Sequence, residues 1–131
     1  MTTARSALDR IGDGKYVLLT TYRKDGTPVP TPVWVVRYED GQIAVWTATA
    51  TAKVKRIRRN RDVTVASCTF RGRPTGEPVA ARAEILDTEG TQRVRDLIKK
   101  KFWLTGPLTV NLSLRRRGPE GSVGIRIAPA A

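Results

Sequence analysis

Apolar residues along this chain recur at two spacings, and each change of spacing marks a change of element. Tyr16 to Tyr22 is a run of strand formers. Thr31 to Tyr38 (TPVWVVRY) is a second strand, entered through prolines at positions 28, 30 and 32, which suits an edge or a bulge because proline cannot donate to a ladder. Asp25-Gly26 marks the turn between them, and Asp40-Gly41 is a hairpin signal into a third strand, Gln42 to Thr47. Val63 to Phe70 sets Val63, Val65 and Ser67 against Thr64, Ala66 and Cys68, a fourth strand buried in part on both faces. Ala80 to Leu86 and Ser122 to Ala128 complete a set of six.

Three other segments carry helical spacing. Ser6 to Ile11 predicts a short helix stopped by Gly12 and Gly14. A helix opening at Thr51-Ala52 would turn Val54 and Ile57 toward a core and leave Lys53, Lys55, Arg56 and Arg59 around its remaining surface. Thr88 to Leu104 places Val94, Leu97, Ile98 and Phe102 on one face. The expected fold class is α+β: a small antiparallel six-stranded barrel with a short central helix and a longer later one. One domain covering residues 1–131 accounts for a chain of this length that is 40% hydrophobic.

Composition narrows the chemistry. The formal net charge of +12 predicts anionic partners without choosing among nucleic acid, a membrane surface and a small polyanion. Histidine is absent, which removes the commonest general base, the Ser-His and Cys-His pairs, and most zinc and haem sites, so no metal site is expected. With one cysteine, Cys68, no intrachain disulfide can form, and the chain has the cysteine usage of a reduced compartment. Cys68 itself is expected in the core. No apolar stretch is long enough to span a membrane and the amino terminus lacks an apolar signal segment, so a cytoplasmic protein without membrane partners is expected. Catalysis, if present, falls to an organic cofactor, with the protein supplying position and electrostatics.

The junction from Trp46 to Asp62 concentrates fixed positive charge. Thr49 or Thr51 could cap the basic helix by accepting from an early amide. The unpaired amides and dipole of the first turn, completed by Lys53 and Lys55, would make a small phosphate site. A solvated basic face is the plainer reading of such a run. Trp34 is more often core or dimer interface than a ligand wall, Trp46 and Trp103 are expected to pack, and the Phe70-Arg-Gly-Arg-Pro-Thr-Gly76 loop has the composition of an ordinary turn.

The succession of a DGT turn, the TPVWVV strand, the DGQIAVWT strand, TAKVKRIRRN and VTVASCTFRGRPTGEPV resembles the pyridoxamine 5′-phosphate oxidase-like split β-barrel family, and within it the branch that uses coenzyme F420, a deazaflavin. The resemblance covers Tyr16 to Asp87 and, beyond that, element order only. It implies a homodimer with two flavin-like cofactors at the interface. Pro32, Val33, Trp34 and Val35 would lie beside the tricyclic ring, and Thr47, Thr51, Lys53 and Lys55 would hold the phosphate of the tail. Arg56 and Arg59 would meet its oligoglutamate, and Arg71 or Arg73 would reach a cofactor bound mainly by the other protomer. The implied reaction is hydride transfer from the C5 carbon of reduced F420 to an unsaturated small molecule. It requires no catalytic side chain; Tyr22, Tyr38 or water could return the proton.

Three alternatives stay open. FMN shares the phosphate site and ring cleft of the fold, so an FMN-binding oxidoreductase is the nearest, while the short chain and the missing histidine argue against vitamin B6 oxidation itself. A carrier that holds the deazaflavin without turnover would leave the same sequence. A basic nucleic-acid-binding barrel is suggested by the net charge and by Arg115-Arg116-Arg117, but Phe70 and Phe102 stand apart and make no stacking cluster.

Overall fold

In the computed structural model of the protein, which describes residues 3–130, the six strands close into one antiparallel barrel. They are β1 (Tyr16–Tyr22), β2 (Pro28–Arg37), β3 (Ile43–Ala48), β4 (Asp62–Ser67), β5 (Val79–Ile85) and β6 (Ser122–Pro129), neighbouring in the order β1-β2-β3-β6-β5-β4 and back to β1. Alternation decides what lies inside. Val17, Leu19, Val35, Ile43, Val45, Val63, Val65, Ala81, Ala83, Ile125 and Ile127 form a single interior cluster. The Asp-Gly turns are built as their sequences require, with Gly26 at φ +89° and Gly41 at φ +73°.

Two helices add to that interior. α1 (Ala4–Asp13) contributes Leu8 and Ile11, and α2 (Ala52–Arg59) contributes Ile57. Gly12 does not stop α1 as expected. It sits inside the helix, where a Cβ would come within 2.8 Å of Arg37 Cγ and 3.0 Å of Ile43 Cγ2, so glycine there permits close packing on the barrel.

The other two helices, α3 (Thr88–Lys101) and α4 (Gly106–Arg117), build a second core on the outside of the barrel. Val94, Ile98, Phe102 and Val110 bury Val36 and Ala44 there, with Trp34 and Trp46 packed alongside. The expected helix ending at Leu104 stops at Lys101, because the backbone leaves helical geometry at Phe102 (φ −104°, ψ 54°). The chain then starts α4, which the sequence pattern did not predict. Trp103, expected to pack, falls in the corner between the two helices and is 71% exposed.

The fourth strand also ends early. β4 stops at Ser67 because Thr69 and Arg73 bond across a tight loop that has Gly72 at φ +87°, leaving Cys68 in a lone bridge to Pro74. Cys68 is half-buried rather than core, and burial pushes its thiol pKa up. Among the described residues no helix is long and apolar enough to cross a membrane.

Candidate functional site

The barrel is seamed unevenly, and the uneven seam positions the site. β2 pairs with β1 from Pro28 to Trp34 but with β3 only at Val35, Val36 and Arg37. Continuing that second register would set Trp34 against Trp46 and Val33 against Thr47. The strands therefore part just past Val35 and Val45, two residues before Thr47, and among the described residues the outer half of β2 keeps one edge free of any strand.

The prolines explain why the open edge is stable. The Val35 N–H donates to the Lys15 carbonyl on the β1 side, at 3.3 Å. Peptide groups alternate sides along a strand, so the nitrogens at positions 28, 30 and 32 turn toward the open edge, where proline's missing N–H costs nothing. The edge presents carbonyl acceptors and few donors, which also discourages strand addition. Val33 and Val35 turn their side chains into the barrel, so a ligand at this edge would meet Pro32, part of Trp34 and backbone. Trp34 is itself stacked on Phe102, with ring centroids 4.4 Å apart, so Phe102 is not isolated. Phe70 also has a neighbour, Tyr16, at 6.4 Å.

The basic helix reaches the Thr47 side of this gap and the end of β1. Lys53 Nζ donates to the hydroxyl of buried Thr47 at 3.2 Å, and Arg56 Nε donates to the hydroxyl of Thr21 at 2.6 Å, Thr21 being only 1% exposed. Arg59 reaches the Tyr22 carbonyl at 3.0 Å, while Lys55 points to solvent. Thr51 occupies the cap position, but its hydroxyl donates to the Ala48 carbonyl at 3.0 Å. That differs from the expected cap: among the described residues no side chain serves the first amides of α2, which stay available to an anion.

Most basic side chains, this cluster among them, have no carboxylate partner among the described residues. Arg37, Arg82, Arg93 and Arg126 each pair with a carboxylate. Among the described residues none of Lys53, Lys55, Arg56 and Arg59 has such a partner. Lys53 is half-buried, and its pKa is held below the usual lysine value of 10.5 by burial first and by the nearby Arg56 second. A partly desolvated ammonium beside a guanidinium, with no carboxylate, is a site short of an anion.

Two open clefts adjoin these elements. One, of about 550 Å³, runs along Ala48 to Thr51 and is closed on its far side by Arg117, Glu120 and Gly121. The other, of about 750 Å³, is formed by Thr69 to Pro74, and so contains Arg71 and Arg73. Arg71 lies over the Phe70 ring, 5.4 Å from its centroid. The structure thus brings Thr47, Thr51, Lys53 and Arg56 together at one end and leaves Arg71 and Arg73 on a separate loop. That loop still touches the open strand: a Cβ on Gly72 would lie 3.5 Å from Pro32. Thr21 and Arg117 were not among the expected residues. Inward alternation after Val17 and Leu19 could have signalled Thr21; nothing local signals Arg117's place at the cleft.

Comparison with known proteins agrees with the seamed barrel. The pyridoxamine 5′-phosphate oxidase family matches residues 6–129. The chain belongs to this family. No curated protein matches it. Among solved structures, the family member resembles protein Atu2129 from Agrobacterium tumefaciens str. C58, of unknown function (15% identity, TM-score 0.69), covering 98% of this chain and only 54% of that one. It is similar to HutZ, the heme storage protein from Vibrio cholerae (14% identity, 94% and 87% of the two chains, TM-score 0.65). It is also similar to an F420 reductase (19% identity, 94% and 93%, TM-score 0.55). At these identities the likeness is one of fold.

Proposed function

We propose that this member of the pyridoxamine 5′-phosphate oxidase family is an oxidoreductase that binds reduced coenzyme F420 and passes its hydride to an unsaturated small molecule. The observation that carries the reading is the uncompensated cationic cluster, Lys53 on Thr47 and Arg56 on Thr21, at the point where β2 and β3 separate. On this reading the phosphate lies at Lys53 and the first amides of α2, and the flat ring along the open edge at Pro32 to Trp34. When bound, the deazaflavin supplies hydride from a carbon that does not pass it to dioxygen readily, leaving the protein to position and shield it.

The roles of this chain's residues follow. Thr47, Thr51, Lys53 and Lys55 hold the phosphate, with charge-assisted bonds from the ammonium groups. Arg56 and Arg59 accompany the carboxylates of the tail. Pro32, Val33, Trp34 and Val35 form the strand beside the ring, and Arg71 or Arg73 serves the cofactor of a second protomer in a homodimer. The surplus of cations over anions favours the deazaflavin over FMN, because its tail carries additional carboxylates. The similarity to an F420 reductase supports the same choice. The likeness to a heme storage protein does not redirect it, since the chain has no histidine, the commonest haem ligand.

Fluorescence titration with F420 and FMN in parallel, at moderate salt to suppress loose charge attraction, tests the proposal. Saturable binding of one F420 per protomer, with FMN much weaker, is expected. Tighter binding of FMN would replace F420 by FMN in the same fold, and binding of neither would end the redox reading. Oxidation of the reduced cofactor with enones, quinones and tetrapyrroles then separates an enzyme from a carrier.

A further inference from the structure

Helix α4 is apolar on two opposite sides. Its inner side buries Gly106, Val110 and Ser113 in the outer core beside Ile98 and Phe102. The other side carries Leu108, 72% exposed, and Leu112, 43% exposed, with Leu104, 76% exposed, just before the helix. Leu108 and Leu112, four residues apart on the helix, make one row, and Trp103 and Leu104 stand exposed in the turn at its head. Five large hydrophobic residues are exposed among the described residues; four are in this row and its corner, so the exposure is concentrated in one patch.

The patch is framed by one sign of charge. No aspartate or glutamate occurs between Asp96 and Glu120. Lys100, Arg115 and Arg116 are exposed at the two ends of the row, with Lys99 half-buried beside them. None of these four has a carboxylate partner among the described residues. A second copy of the chain laid on this face would bring two such rims together, and a patch of three leucines and a tryptophan is small against the roughly 1,000 Å² that a stable protein interface buries. An apolar row with a tryptophan and cationic ends matches the boundary between lipid headgroups and acyl chains instead, where leucines enter, the indole sits at headgroup level and basic side chains meet phosphates.

We propose that the outer face of α4, with the Trp103 corner, is a peripheral docking surface for an anionic lipid bilayer. It goes beyond the redox reading and does not depend on it. The protein docks lying on the surface, with α4 parallel to the bilayer plane. This revises the expectation of a protein without membrane partners: spanning is not involved, but surface attachment is.

The test is co-sedimentation of the full chain with vesicles of phosphatidylglycerol and phosphatidylcholine in equal parts, against vesicles of phosphatidylcholine alone. Binding to the anionic vesicles is expected, falling by roughly tenfold or more in the double variant Leu104→Gln, Leu108→Gln, which keeps every charge. Equal binding of variant and wild type would reduce the effect to charge attraction and overturn the proposal. So would loss, in the variant, of a self-associated form in sedimentation velocity, which would assign the face to a second copy. Failure to bind the anionic vesicles while binding nucleic acid would overturn it too. Should the double variant not fold, quenching of wild-type emission by lipids brominated in the acyl chain decides, read against Trp103→Phe: quenching confined to the wild type is expected, and equal quenching in both refutes insertion of this corner.

Discussion

Replacing Lys53 by alanine should separate binding from stability, because the structure gives this ammonium a cost in the free protein and a use in the complex. In the free protein it is half-buried, bonded only to the Thr47 hydroxyl at 3.2 Å, with Arg56 the neighbouring charge that disfavours it further. Removing it takes away one modest bond together with a desolvated, repelled charge, so the two effects nearly cancel and the thermal midpoint should stay level or rise slightly. In the complex the same ammonium would make a charge-assisted bond to phosphate. Such bonds contribute about 1.5–3 kcal/mol, which corresponds to a loss of roughly 10- to 150-fold in affinity. Fluorescence titration with F420 at fixed ionic strength, run beside a thermal melt, reads both quantities. Unchanged affinity would place the phosphate elsewhere. A marked fall in melting temperature with unchanged affinity would make Lys53 a structural pin for Thr47 and refute the anion-site reasoning.

Lys53 also sets a pH trend. Its folded pKa lies below the unfolded value, so between the two the unfolded chain binds more protons, and stability should rise with pH. The penalty is full below the folded pKa and disappears as pH passes 10.5; a melt series of wild type against Lys53→Met should therefore show the wild type gaining as pH approaches that value, and a constant difference would contradict the shift. Lys101→Met should destabilise by about 2–4 kcal/mol in chemical denaturation. Its ammonium donates to the carbonyls of Gly12, Gly14 and Val35, tying α1 and β2 to α3, and a variant as stable as wild type would show that water replaces it. Gly124→Ala should cost about 1–3 kcal/mol by overpacking, because its Cβ would fall 2.8 Å from Val94 Cγ2 and 3.3 Å from the Thr91 backbone; an unchanged denaturation midpoint would mean that α3 can move off β6.

The elements legible in the sequence are those whose two faces meet different surroundings. β1 and α3 each have a side turned to a core and a side turned away, so their apolar residues carry a clear period. α4 was illegible for the converse reason. Val110 and Leu114 pack inward while Leu108 and Leu112 face out, so its apolar residues show no single stripe, and Gly106-Pro107 looks like a break although proline is well placed in the first turn. A helix without a stripe was missed as a helix, and the same lack of a stripe is what marks its outer face as needing a partner.

The candidate site was legible to the extent that it is made of consecutive residues. Lys53, Arg56 and Arg59 lie on one helix, and the run of basic residues announces them. What the run could not show is which of these charges go unneutralised, since that depends on where carboxylates from distant elements fall: Asp13 reaches Arg37 and Glu84 reaches Arg126, but among the described residues none pairs with a cation of α2. The prolines at 28, 30 and 32 carried a deeper signal. Their alternation fixes which edge of β2 must do without hydrogen bonds, and that edge is the one from which β3 departs. The opening between the strands is thus written in the sequence as a periodicity of missing donors, while the cation facing it, Lys53 on Thr47, becomes visible only when the barrel closes and sets residues 47 and 53 beside the gap.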